Sequence, residues 1–338
     1  MSESKALLEV TNITKLFPLR QGISGLSRRT ASVRAVDGVT FSVKEKEVLG
    51  LVGESGCGKT TTGKLSVRLL DPSSGNICFR GESISSLRGK GLKNFRRYAQ
   101  IIFQDPYESL NPRKTVLDSV SQPLFVHGMV DSRDQARDKV LEILKLVKLE
   151  REEGLLEKFP HELSGGERQR VATARALILQ PSFVVADEPV SMLDVSIRAE
   201  VIELMKELGS KYDLTYLFIT HDLAVARYMC DRIGIMYLGK IVELGETEKI
   251  LAEPIHPYTK MLLSSVPVPD PAVKRKVEAV GEVPSLINLP TGCRFHPRCP
   301  MRVKTCEQFS PQLVEVERGR WVACPVATGK QPEITEAG

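Results

Sequence analysis

Short, mainly apolar stretches alternate with segments of helical periodicity through roughly the first 250 residues, the arrangement of a mainly parallel sheet covered by helices. Strand-like runs fall at residues 48–52, 98–103, 183–186 and 214–219. Each gives way to polar or Gly-rich residues, where α/β folds place their chemistry. Two helices follow from the 3.6-residue period. Ser132-Arg133-Asp134-Gln135 reads as a capping box, after which Ala136, Val140, Ile143, Leu144 and Val147 trace one apolar face. Ile197, Val201, Leu204 and Leu208 trace another, with Gly209 as the expected stop. Both faces are expected to be core.

The texture changes twice. Between Phe17 and Val36 a Gly- and Ser-containing stretch carries Arg20, Arg28, Arg29 and Arg34, read as a solvated loop with a phosphate or lipid-headgroup contact as the alternative. From Glu253 onward Pro becomes frequent, at Pro254, Pro257, Pro267, Pro269, Pro271 and Pro284. A boundary near residue 255 is expected, followed by an irregular tail.

Composition narrows the class. A chain of 338 residues suits about two domains, and 42% apolar with 26% charged residues is the balance of a folded protein. The net charge of +5 gives no basic stripe to favour nucleic acid. No apolar run approaches the ~20 residues that span a bilayer, and the opening MSESKALLEV has no apolar signal core. The expectation is a chain that is neither secreted nor self-inserting. Of seven cysteines, Cys57, Cys78 and Cys230 are scattered, whereas Cys293, Cys299, Cys306 and Cys324 crowd into the tail. An odd total without an export signal argues against a disulfide framework.

The strongest chemical signal is Gly53-Glu54-Ser55-Gly56-Cys57-Gly58-Lys59-Thr60, a complete G-x-x-x-x-G-K-[ST] phosphate loop after a strand, with Thr61 next in line. Its glycines let backbone N–H groups converge on phosphate oxygens, and the following helix adds its positive end. Lys59 is expected to meet the β- and γ-phosphates and Thr60 to ligate Mg²⁺. The strand at 183–186 runs into Asp187 and Glu188, adjacent carboxylates that are costly at a buried strand end unless a cation or proton compensates. Asp187 is the candidate second Mg²⁺ ligand. Glu188 is the candidate for polarising the attacking water. A third segment, Leu163-Ser164-Gly165-Gly166-Glu167, opens a strong helix former and offers another anion-binding N-terminus or a simple cap.

With Gln104 after the strand at 98–103, Asp194 in Ser191-Met192-Leu193-Asp194, and His221 in Ile219-Thr220-His221-Asp222, the chain resembles the nucleotide-binding subunit of an ATP-binding-cassette transporter, with the motifs in family order across about residues 5–250. The resemblance implies an α/β P-loop NTPase cassette over residues 1–254: a mainly parallel sheet, an antiparallel subdomain and a helical subdomain at about 105–180. It implies that Ser164, Gly165 and Gly166 contact the γ-phosphate of ATP held by an opposite cassette. Gln104 would sense Mg²⁺ and the γ-phosphate, and His221 would hold the water with Glu188. Asp194 would bridge two cassettes, and Phe17 would stack on adenine, with simple core packing as its alternative. Met192 stands where the family often has Ala. Cys57, inside the phosphate loop, predicts that alkylation blocks hydrolysis and that ATP slows the alkylation.

The tail narrows the branch. His256-Pro257-Tyr258-Thr259-Lys260-Met261-Leu262-Leu263 followed by Val266-Pro267 resembles the carboxy-terminal extension of dipeptide/oligopeptide importers, here residues 255–338, and the segment before Val36 is most similar to their F-type subunit. The partners implied are a D-type cassette, two transmembrane permease subunits and an extracytoplasmic substrate-binding protein, with the chain at the cytoplasmic face of the membrane. The four tail cysteines have the spacing C-x₅-C-x₆-C-x₁₇-C. That spacing lacks the paired knuckles of structural zinc, and Cys299-Pro300 and Cys324-Pro325 repeat a step found at ferredoxin ligands. A [4Fe–4S] cluster, a Zn²⁺ site and unliganded thiols stay open, the first favoured by the resemblance. Two rival functions are a cassette ATPase acting on nucleic acid or ribosomes, which generally carries two cassettes or a long insertion, and the same transporter role for nickel or oligosaccharide.

Overall fold

The computed structural model describes residues 5–18, 32–149, 154–265 and 281–329. Arg20, Arg28 and Arg29, and the segment with Val266, Pro267, Pro269 and Pro271, lie outside the described residues.

The described strands are, in chain order, β1 (Ala6–Pro18), β2 (Ser32–Lys44), β3 (Val48–Val52), β4 (Ser74–Phe79), β5 (Glu82–Ser83), β6 (Ala99–Ile102), β7 (Phe183–Asp187), β8 (Thr215–Thr220), β9 (Arg232–Tyr237), β10 (Lys240–Glu246), β11 (Val314–Glu317) and β12 (Arg320–Val322). They form a four-stranded sheet in the order β2-β1-β4-β5 and an eight-stranded sheet in the order β11-β12-β10-β9-β3-β8-β7-β6. The small sheet is antiparallel throughout. In the large one β9, β3, β8, β7 and β6 run parallel, and β10, β12 and β11 turn antiparallel at one edge. The parallel strands end together, so β3, β7 and β8 deliver the phosphate loop, Glu188 and His221 to one rim.

Side chains of the parallel strands alternate between two cores, as a period of two on a doubly covered sheet requires. Val184, Ala186, Tyr216 and Phe218 join a core with Val120, Val140 and Leu144. Phe183, Val185, Leu217 and Ile219 join the other, with Leu8, Val10, Val36 and Phe41 of the antiparallel sheet. Both layers are therefore anchored through the strands that carry the site.

Between β6 and β7 lie the helices Val116–Val126, Arg133–Leu146 and Gly165–Leu177. Ser132 caps the second by accepting the Gln135 N–H at 3.2 Å, but Gln135 Oε1 receives the N–H of Asp131, one residue earlier than a capping box needs. The helix Val195–Lys211 runs through Gly209 and ends where Asp213 turns to φ 54°. Gly209 is instead a packing position, since a Cβ there would stand 3.1 Å from the Tyr216 ring.

The residues after 254 are stitched to the large sheet. The β11–β12 hairpin continues it through β12 on β10, with Glu243 opposite Val322 and Leu244 opposite Trp321. Beneath that seam Glu243, fully buried, pairs with the buried Arg320 at 3.0 Å and accepts the N–H groups of Ile255 at 3.1 Å and His256 at 3.0 Å. A buried charge so completely paired fixes the hairpin's place. Among the described residues no helix is long and apolar enough to cross a membrane.

Candidate functional site

The phosphate loop leaves β3 and feeds the helix Lys59–Ser66. Gly58 sits at φ 107°, and a Cβ there would come 2.3 Å from the Ala35 carbonyl oxygen, so only glycine lets the loop turn into the helix at this point. Lys59 is buried, and its ammonium donates to the carbonyls of Gly53 at 2.8 Å and Glu54 at 3.0 Å while standing 3.8 Å from Glu188 Oε1. Those carbonyls curl the loop around the charge. Thr60 Oγ1 donates to Asp187 Oδ1 at 2.9 Å.

Asp187 closes β7 with only 2% of its surface exposed. Burial pushes its carboxyl above the ordinary range, opposed by the Thr60 hydrogen bond and the charge of Lys64, with Glu188 adding to the rise and Lys59 opposing it. A hydroxyl and a desolvated carboxylate held together are hard oxygen donors suited to Mg²⁺. Those two residues would hold it, and when bound it would supply positive charge for phosphate oxygens. Glu188 takes φ 44°, a strained conformation for a non-glycine residue, and is pinned by its N–H on the Ile219 carbonyl at 3.0 Å. Its Oε2 stands 3.0 Å from His221 Nδ1 and accepts from Gln104 Nε2 at 3.3 Å. Gln104 also donates to Ser191 Oγ at 3.3 Å, and Ser191 Oγ donates to the Glu188 carbonyl at 3.0 Å.

A cavity of about 650 Å³ gathers Gly53, Glu54, Ser55, Gly56, Gly58, Lys59, Thr60, Thr61, Gln104, Glu188 and His221 along one wall or another. The phosphate loop and the three polar residues from other strands therefore share one space. Cys57 belongs to the loop by its backbone, but its side chain turns into the core: it is 3% exposed, and burial raises its thiol pKa, with Lys59 opposing. The reactive thiol expected inside the site is thus shielded. Phe17 is about one-third exposed on β1 opposite Val33, outside the cavity's lining, with Lys15 over its ring.

Ser164, Gly165 and Gly166 also lie outside that lining. Ser164 caps the helix Gly165–Leu177, its N–H donating to Glu167 Oε2 at 2.7 Å and its hydroxyl accepting the Glu167 N–H at 3.3 Å. Asp194 caps the helix Val195–Lys211 without using its side chain and is flanked by the exposed Met192 and Val195. The two helices touch closely, since a Cβ on Gly166 would stand 2.7 Å from Ile197 Cγ2.

The four tail cysteines line one small hollow of about 50 Å³ with His256, His296 and Phe309. Cys293 N–H donates to the Cys306 carbonyl at 2.8 Å. Burial, reinforced by the neighbouring thiols, pushes Cys293 up to about 11, and burial also raises Cys299 and Cys324. All four are free thiols, and among the described residues no group of three or more His, Cys, Asp or Glu side chains is arranged to hold a metal ion. The expectation of a [4Fe–4S] or Zn²⁺ centre thus finds the four thiols around one hollow but, among the described residues, not arranged as a metal site.

The sequence reading missed Ala35, Leu262 and Leu286, which also line the nucleotide-sized cavity. Leu262 falls within the motif that marks the extension, which carried no sign of a place at the cavity, and no motif marks Leu286. It also missed Tyr258 and Arg298 as contacts of the phosphate loop.

A phosphate loop, a carboxylate pair at a strand end and a glutamine–histidine frame around Glu188 define an ATP-hydrolysing cassette. The sequence profile described as ABC transporter matches residues 36–191, and that described as oligopeptide/dipeptide transporter, C-terminal region, matches residues 242–306. The chain is 47% identical to the oligopeptide transport ATP-binding protein AppF of Bacillus subtilis (strain 168), over 96% of this chain and 98% of that one. It is 48% identical to the putative oligopeptide transport ATP-binding protein YkfD of the same organism, over 94% of each. Among solved structures it resembles the dimeric cassette MJ0796 in a post-hydrolysis state bound to ADP and Pi, with 30% identity and a TM-score of 0.62 over 71% of this chain and 98% of that chain. This chain belongs to the ATP-binding-cassette proteins of the oligopeptide/dipeptide transporter family.

Proposed function

We propose that this chain is the energy-coupling subunit of an importer for dipeptides or oligopeptides, turning ATP binding and hydrolysis into movement of separate membrane subunits. The observation that carries the reading is the junction of the phosphate loop with Gln104, Glu188 and His221 in one cavity, on a chain similar along nearly its whole length to oligopeptide transport ATP-binding proteins. Lys59 and the loop N–H groups bind the triphosphate. Thr60 and Asp187 hold Mg²⁺. Glu188, oriented by His221 and Gln104, takes a proton from the attacking water.

Ser164, Gly165 and Gly166 lie outside their own chain's cavity, which supports their meeting a nucleotide held by a second cassette, as does the dimeric state named for MJ0796. Asp194 then faces the partner between two exposed apolar residues. A D-type cassette, two permease subunits and a substrate-binding protein complete the assembly at the cytoplasmic face of the membrane. The cassette is residues 1–254, with its helical subdomain at about 105–180, and the extension is 255–338. The four thiols around one hollow support a [4Fe–4S] cluster in preference to zinc, since each iron of a cluster takes one thiolate whereas zinc needs all four sulfurs at one point. Iron and acid-labile sulfide in anaerobically purified protein, about four of each per chain, test it, and their absence removes the cluster.

The function is tested by uptake of a labelled tripeptide in cells lacking this chain. Uptake should be restored by the wild type and not by Lys59→Ala. Restored uptake of nickel or an oligosaccharide, with peptide uptake unaffected throughout, contradicts the peptide assignment.

A further inference from the structure

The phosphate loop carries a carboxylate at its second position, and the extension holds it. Arg298 grips Glu54 with both ends of its guanidinium, Nη1 to Oε2 at 2.9 Å and Nη2 to Oε1 at 3.2 Å. The Glu54 N–H donates to the Tyr258 hydroxyl at 3.0 Å, and its carbonyl accepts from Lys59. Every polar group of Glu54 is thereby fixed, two of the three by residues beyond 254. The grip is itself rigid. Arg298 is 5% exposed and packs over the Tyr237 ring, and Tyr258, fully buried, is wedged at a tilt between Tyr237 and Phe295 with ring centroids 4.6 and 5.4 Å away.

A triphosphate brings several negative charges to this loop, so an unpaired carboxylate at its edge opposes binding by repulsion that a low local dielectric strengthens. A two-pronged guanidinium cancels that charge and also fixes its direction. We propose that Arg298 and Tyr258 are positioning residues for ATP, which makes the cysteine-bearing segment a working part of the nucleotide site. Arg298 closes the turn His296–Arg298 and directly precedes Cys299, while Cys293 begins the same segment.

The inference rests on the reading of the cavity as the ATP site and is tested in the full-length chain by titration with a fluorescent ATP analogue and Mg²⁺. Arg298→Met should weaken binding about tenfold, the order expected for one charge left unpaired beside an anion, and more at low than at high salt. Adding Glu54→Gln to it should recover most of that loss, a rescue that a purely structural Arg298 would not give. Tyr258→Phe keeps the packed ring, guards against misfolding as the cause, and should weaken binding about threefold by leaving one N–H unpaired. Binding within twofold of wild type in both single variants, or no recovery in the double variant, overturns the proposal alone. A wild type that binds no analogue overturns the site reading with it.

Discussion

Thr60 Oγ1 donates a 2.9 Å hydrogen bond to Asp187 Oδ1, joining the phosphate-loop helix to the end of β7 across 127 residues of chain. The carboxylate is desolvated and held above its usual range by burial, so a cation placed there relieves a cost already present in the fold. Thr60→Ala should raise the Mg²⁺ concentration for half-maximal ATP hydrolysis roughly 10–100-fold, the range for losing part of a metal's oxygen frame. Asp187→Asn should do at least as much. A Mg²⁺ titration indistinguishable from wild type in both variants would contradict the assignment.

Gly166 meets Ile197 where the two exposed caps converge. Helix propensity alone makes Gly166→Ala stabilising by about 1 kcal/mol, but the new methyl would stand 2.7 Å from Ile197 Cγ2. Overpacking of that kind costs about 1–3 kcal/mol. The melting temperature should therefore fall, and Gly166→Ala combined with Ile197→Ala should melt above Gly166→Ala alone. A rise in melting temperature for the single variant means the helices separate freely at this contact.

Glu243 and Arg320 form a buried pair under the seam between β10 and β12. Glu243→Gln removes the buried carboxylate and leaves Arg320 with Glu317 at 3.1 Å as its remaining acidic partner, a loss of charge-assisted hydrogen bonding that costs about 1–3 kcal/mol. Chemical denaturation should show Glu243→Gln as less stable than the wild type. The hairpin should become the first site of proteolytic cleavage in the variant. Equal stability of the two would mean the pair is solvated.

Cys57 is enclosed by the core and its thiol is raised by burial, so the thiolate that reacts is scarce. Iodoacetamide should label Cys57 far more slowly than the unfolded chain, and bound ATP, by closing the loop, should slow it further. Labelling is read by mass spectrometry of the peptide. Equal rates with and without nucleotide contradict this picture of the loop.

Much of this was legible in the chain itself. The strands at 48–52, 183–187 and 215–220 lie within a residue or two of the apolar runs that announced them, because strands buried on both faces must be short and apolar. Glu188, Gln104 and His221 were each visible as polar residues just past an apolar run, and Gln104 and His221 lie against the Glu188 carboxylate. What stayed hidden depends on contacts across long separations. Gly209 read as a stop because glycine usually ends helices, yet Tyr216 requires its missing side chain. The extension read as irregular because Pro and Cys dominate its texture, while the pairing of Glu243 with Arg320 links residues 77 positions apart. Arg298 could not be assigned for the same reason: its partner Glu54 lies 244 residues upstream. Cys57 misled by position, since a residue can give its N–H to a loop and its side chain to the core.

Glu188, framed by His221 and Gln104, is the group proposed to activate the attacking water. The most direct test replaces Glu188 by Gln in the assembled transporter and measures ATP affinity and turnover in the same sample. ATP affinity should be unchanged and turnover lowered by a factor on the order of 10²–10⁴. Turnover within about threefold of wild type would contradict that role.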